Sequence, residues 1–84
     1  MSQKQIVPNT LRMHREQAGL FQKDVARILN LDCMDRISRW ENGVAMPSVV
    51  NLFRLASIYG VLPHDLYPGL VEAARQPRFQ AENT

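Results

Sequence analysis

The stretch RISRWENG, residues 36–43, concentrates hydrogen-bonding chemistry in about two helical turns. Arg39 carries a fixed fork of N–H donors that fits the paired acceptors on a guanine edge, and Ser38 can bond either way. Asp35, just upstream, can accept from a cytosine amine or serve only in a helix cap. Met34 has two evenly weighted readings, contact with a thymine methyl or cover for the edge of a core, and Arg36 flanks the same side. Together these five residues, Met34, Asp35, Arg36, Ser38 and Arg39, form a set suited to touching base edges. The plain alternative is that any surface helix has a polar face, so the surroundings must decide.

On a wheel of about 100° per residue, Cys33, Ile37 and Trp40 gather on one side with Glu41 at its margin. Asp35, Ser38, Arg39 and Asn42 gather on the other. Trp40 could stack on a base, but its place beside Ile37 assigns it to the core. Cys33 falls on the same apolar stripe with no thiolate-stabilising base nearby, which predicts a buried, inert thiol.

The elements that would hold this face are all helical. Asn9 or Thr10 can cap a first helix, LRMHREQA, which stops at Gly19 and has Leu11, Arg15 and Ala18 on one stripe. A second helix covers about Gln22 to Leu29, with Val25, Ala26, Ile28 and Leu29 apolar. Phe21 at its cap position cannot accept a backbone hydrogen bond. After the turn NLD, Asp32 caps and Asp35 completes a rough capping box, so the third helix runs from about Cys33 to Glu41 and ends at NG. Ser48 caps a fourth helix, about Val49 to Tyr59, with Val49, Leu52, Phe53, Ala56 and Tyr59 as the core stripe and Ile58 facing away from it. LPHDLY makes a short fifth helix with Pro63 in its first turn. Residues 1–8 read as a loose arm and residues 9–67 as the domain. Residues 68–84 form an extension in which GLVEAARQ adds helical turns and PRFQAENT frays.

Eighty-four residues make one small domain, and 45% apolar content supports one modest core. Period-2 alternation is absent, so the fold class is all-α. No apolar run is long enough to span a membrane, and the N-terminus lacks the apolar block of a secretory signal. A lone cysteine cannot form an internal disulfide, which points to a reducing compartment. His14 and His64 stand far apart without a Cys or acidic cluster at ligand spacing, so neither a metal nor another cofactor is expected. No glycine-rich phosphate loop and no nucleophile with an evident base supports catalysis. The net charge is only +2, but Arg12, Arg15, Lys23, Arg27, Arg36 and Arg39 all lie in the first half, where a local basic face can form. Lys23, at the start of the second helix, is read as a phosphate contact rather than a merely solvated cation.

A short helix, a tight turn and a second short helix form a unit whose second member can enter a major groove about 12 Å wide. The ordered set R-x2-R before AGL, then Gln22 and Ala26, then ISRWENG and P-S opening the next helix, resembles the lambda-repressor-like helix-turn-helix family, the Cro and XRE-type regulators. The likeness covers about residues 10–67. It implies a compact five-helix bundle with the third helix in the groove. By position it implies that Gln22 binds a phosphate, aided by the helix dipole, and that Asn42 and the Gly43 amide touch a second one. It also implies that Arg15 and Glu41 form a partly buried ion pair. Two departures stand out. Phe21 replaces the usual Ser, Thr or Asn, and DCMDR has five residues between Leu31 and Ile37 where the common pattern has four.

The function expected is sequence-specific binding of double-stranded DNA by a homodimer on an inverted repeat, in the cytoplasm of a prokaryotic or phage-infected cell. The best candidate dimer surface is the C-terminal apolar set Val61, Leu62, Leu66, Leu70 and Val71. The rivals are an antitoxin-like or adaptor module that holds a protein, a small enzyme, and the DNA-binding part of a larger protein.

Overall fold

The computed structural model describes residues 6–75. Along the chain run α1 (Leu11–Gln17), α2 (Gln22–Ile28), α3 (Asp35–Glu41), α4 (Val49–Tyr59), a 3-10 turn (Pro63–Leu66) and α5 (Pro68–Ala74). No strand occurs among the described residues, and no helix among them is long and apolar enough to cross a membrane.

The helices are short, so packing rather than propensity must hold them. Leu11 from α1, Val25 and Ala26 from α2, Ile37 and Trp40 from α3, Leu55 and Ala56 from α4, and Leu66 from the 3-10 turn meet in one core. α1 starts where the Asn9 side chain accepts from the Leu11 amide at 3.0 Å. Thr10 does not cap. Its hydroxyl donates to the Asp65 carbonyl at 2.8 Å and its amide to the Leu66 carbonyl at 3.0 Å, which ties α1 to the 3-10 turn. At α2 only the acidic half of a capping box exists: the Asp24 carboxylate accepts from the Phe21 amide at 2.8 Å. Ser48 caps α4 by accepting from the Asn51 amide, and Gly60 closes it in the left-handed region at φ 72°.

Several local expectations are corrected. α3 begins at Asp35, not Cys33, and neither Asp32 nor its partner caps it. The α2 end is sealed by Asn30 at φ 60° and by the Leu31 amide on the Ala26 carbonyl at 2.8 Å. Asn tolerates that conformation better than most residues. With Leu31 packed against the core on one side and Ile37 buried in it on the other, the extra residue of DCMDR goes into the turn. Cys33 is therefore exposed rather than buried.

α4 carries two adjacent apolar stripes at 3–4 spacing. The core takes Leu52, Leu55, Ala56 and Tyr59, which leaves Val49 and Phe53 on an exposed shoulder and draws Ile58 partly inward. Ala18, just past α1, and Ile28 on α2 are likewise exposed. Residues 6–8 do not form a loose arm: the Val7 amide donates to the Gly43 carbonyl at 2.9 Å. Residues 1–5, and PRFQAENT within the C-terminal extension, lie outside the described residues.

Candidate nucleic-acid interface

α3 presents two opposed faces. Ile37 and Trp40 are 1% and 3% exposed, locked into the core, while Met34, Asp35, Arg36 and Arg39 lie exposed and Ser38 half-buried. Arg39 makes no side-chain hydrogen bond or ion pair among the described residues. Its donors stay open to an external acceptor. Arg36 is partly committed, since its guanidinium sits 5.6 Å from the Trp40 ring centroid.

The inner end of α3 is anchored by charge. Arg15 donates from Nε to Glu41 Oε2 at 2.6 Å and from Nη2 to Oε1 at 3.2 Å, and from Nη1 to the Leu20 carbonyl at 2.9 Å. Burial pushes the Glu41 carboxyl up, but hydrogen bonds from Arg15 and Gln22 and the Arg15 charge outweigh it and hold the group below the usual carboxylate range. The same hydrogen bond raises Arg15 against the opposing effect of burial. Tyr59, buried and under the Glu41 charge, is pushed up to about 12. Asn9 secures the last turn: its Nδ2 donates to the Trp40 carbonyl at 3.1 Å, a second donor beside the Gly43 amide at the end of the helix.

A short helix (α2), a three-residue crossing after Leu31, and a second short helix with its polar face outward make up the central unit of the domain. The helix-turn-helix family model matches residues 11–66, more than half of the chain. The chain belongs to this family. It is a lambda-repressor-like, XRE-type domain, and so a DNA-binding transcription regulator. No curated protein and no solved structure matches it.

Within this helix-turn-helix domain, the residues expected at phosphates stand as follows. Gln22 at the start of α2 donates from Nε2 to Glu41 Oε1 at 3.0 Å, which uses one of its two amide protons and fixes the other's direction. Lys23 is exposed, with Nζ 5.8 Å from the Phe21 ring centroid. Asn42 is exposed; its Nδ2 makes a long 3.4 Å contact to Ser38 Oγ. Gly43 departs from expectation. It is buried, its amide donates to the Trp40 carbonyl at 3.1 Å, and Val7 covers its carbonyl. That amide is already spent, so it offers nothing to a phosphate.

Sequence reasoning left two contributors without a role at this site. The sequence offers Asn9 only as a cap for α1, and Arg12 only as part of the R-x2-R pattern and of the basic first half. Arg12 donates from Nε to Glu41 Oε1 at 3.4 Å and from Nη2 to Asn42 Oδ1 at 3.2 Å. The R-x2-R spacing itself was the available signal, since it puts both arginines on the side of α1 that meets α3.

Of the proposed dimer residues, Leu66 is fully inside the core and offers no surface. Leu62 and Leu70 are exposed, and Val61 and Val71 are half-buried.

Proposed function

We propose that this chain is a transcriptional repressor that acts as a homodimer and reads an inverted-repeat operator, each copy laying α3 in a major groove. The observation that carries this reading is the split of α3, with Ile37 and Trp40 buried and Arg39 outward and unengaged. Arg39 and Ser38 read base edges, with Met34, Asp35 and Arg36 at the margin. Gln22, Lys23 and Asn42 hold the phosphates that set the register. One such module contacts too few groups to bind tightly alone, whereas two with α3 helices about 34 Å apart match one turn of duplex. Its place of action is the prokaryotic cytoplasm.

Selection of bound sequences from a random DNA pool tests this directly. An inverted-repeat motif with half-site centres about 10 base pairs apart is expected. If the dimer covers roughly 6–10 phosphates, affinity should fall by about 10³–10⁵ between 50 and 200 mM salt. A pool that yields no motif overturns the reading.

A second reading, a module that holds a protein partner, is favoured by the α4 shoulder, where Val49 and Phe53 are 71% and 60% exposed. A retained protein partner together with no shift of random genomic fragments in a gel assay would select it.

A further inference from the structure

We propose that Arg12 is a phosphate-binding residue that works with Asn42 where α1 meets the end of α3. This rests on the DNA-binding reading of the same face.

The inference starts from how Glu41 is compensated. Its carboxylate is 1% exposed, and Arg15, itself buried, engages both oxygens. Gln22 adds a third donor. Glu41 therefore needs no second cation. Arg12 nevertheless reaches Oε1, at a long 3.4 Å and with its side chain 55% exposed. Two arginines against one carboxylate leave one positive charge in surplus, and the exposure puts that charge on Arg12.

The donors are also available. A guanidinium has five N–H groups. Arg12 uses two of them, one on Glu41 and one on Asn42, which leaves three, enough for the bidentate geometry that suits phosphate oxygens. A stretched contact from an exposed arginine to a carboxylate already compensated by Arg15 contributes little and is readily exchanged for a phosphate.

Arg12 also positions its neighbour. By donating to Asn42 Oδ1 at 3.2 Å it holds the amide oxygen inward, so the Asn42 NH₂ is the end left to donate outward. Its only internal acceptor among the described residues is Ser38 Oγ at 3.4 Å. The Gly43 amide is consumed by Trp40. Arg12 thus supplies a charged ligand in place of the Gly43 amide that the family resemblance implies, and it shields a nearby phosphate from Glu41.

The test uses the full chain, the variants Arg12→Gln and Arg12→Lys, and a duplex of random sequence, so no operator need be known. Binding is followed as log Kd against log salt over about 50–200 mM. Arg12→Gln should weaken binding on the order of tenfold and flatten the slope by about 1 per copy, while Arg12→Lys keeps the slope. Asn42→Ala should cost less in the Arg12→Gln background than in the wild type, because the two act together. Thermal unfolding is measured in parallel. An unchanged salt slope for Arg12→Gln, with or without a lower Tm, reduces Arg12 to a strut between helices and overturns the inference. A flat slope for the wild type itself overturns the DNA-binding reading, and the inference falls with it.

Discussion

Arg15 and Glu41 close the contact between α1 and α3 through two guanidinium nitrogens, at 2.6 and 3.2 Å, with the carboxylate 1% exposed. The pair sits one residue beyond Trp40 and fixes the end of the helix whose other face looks outward. Removing one partner strands the other away from water. Glu41→Gln should therefore destabilise the fold by about 3–5 kcal/mol, the usual cost of breaking a buried pair.

The same pair sets a pH dependence. The Glu41 carboxyl is lowered from its ordinary 4.5 in the folded state. The unfolded chain therefore takes up that proton first as the pH drops. The stabilisation is fully present above the ordinary value and is lost as the pH falls through the lowered one. Thermal unfolding of wild type and Glu41→Gln from pH 7 to pH 3 should show their difference shrinking below about 4.5. A difference constant with pH would mean the carboxylate charge is not what stabilises.

Gly43 is a position where only glycine fits. Its φ is +79°, and an added Cβ would lie 2.5 Å from Ile6 Cγ2 and 2.6 Å from the Val7 carbonyl oxygen. Gly43→Ala should cost roughly 1–3 kcal/mol from backbone strain and displacement of residues 6–8. Faster hydrogen exchange at the Val7 amide, which donates to Gly43, should accompany the lower Tm. Slow exchange at that amide in the variant would show that the segment does not lie over Gly43.

What the sequence made legible was short-range. Ile37 and Trp40 are three residues apart and Ser38 and Arg39 lie between them, so a seven-residue helix has one way to bury the indole and expose Arg39. The caps at Ser48 and Gly60 are equally local. On α4 the core stripe holds at Leu52, Ala56 and Tyr59 but not at Val49 and Phe53, because Val49–Phe53 and Leu52–Leu55–Tyr59 satisfy the same periodicity and only the neighbours of α4 choose between them. The Val7 cover on Gly43 and the Arg12 bridge to Asn42 join residues 36 and 30 positions apart, and no local pattern encodes such a meeting.

Cys33 illustrates that limit and gives a simple check. The wheel put it inside, but the lengthened turn before α3 leaves it exposed. A disulfide reagent added to the native protein should titrate one thiol per chain. Its rate should be within about tenfold of that after denaturation, since access rather than unfolding limits the reaction. Protection until the chain unfolds would place Cys33 back in the core.

Arg39 and Gln22 should fail in different ways. Arg39 is exposed and unengaged among the described residues, so Arg39→Ala should leave stability within about 0.5 kcal/mol of wild type. It should weaken the selected operator by about 1–3 kcal/mol and relax preference at one base pair, with a smaller loss on random DNA. Gln22 donates to a buried carboxylate at 3.0 Å. Gln22→Ala should therefore weaken all sequences alike and also lower stability by about 1.5–3 kcal/mol, the range for a hydrogen bond to a charged group. Filter binding on both DNAs, with unfolding curves alongside, separates the two patterns. Equal losses on operator and random duplex for Arg39→Ala would show that this arginine touches the backbone and reads no base.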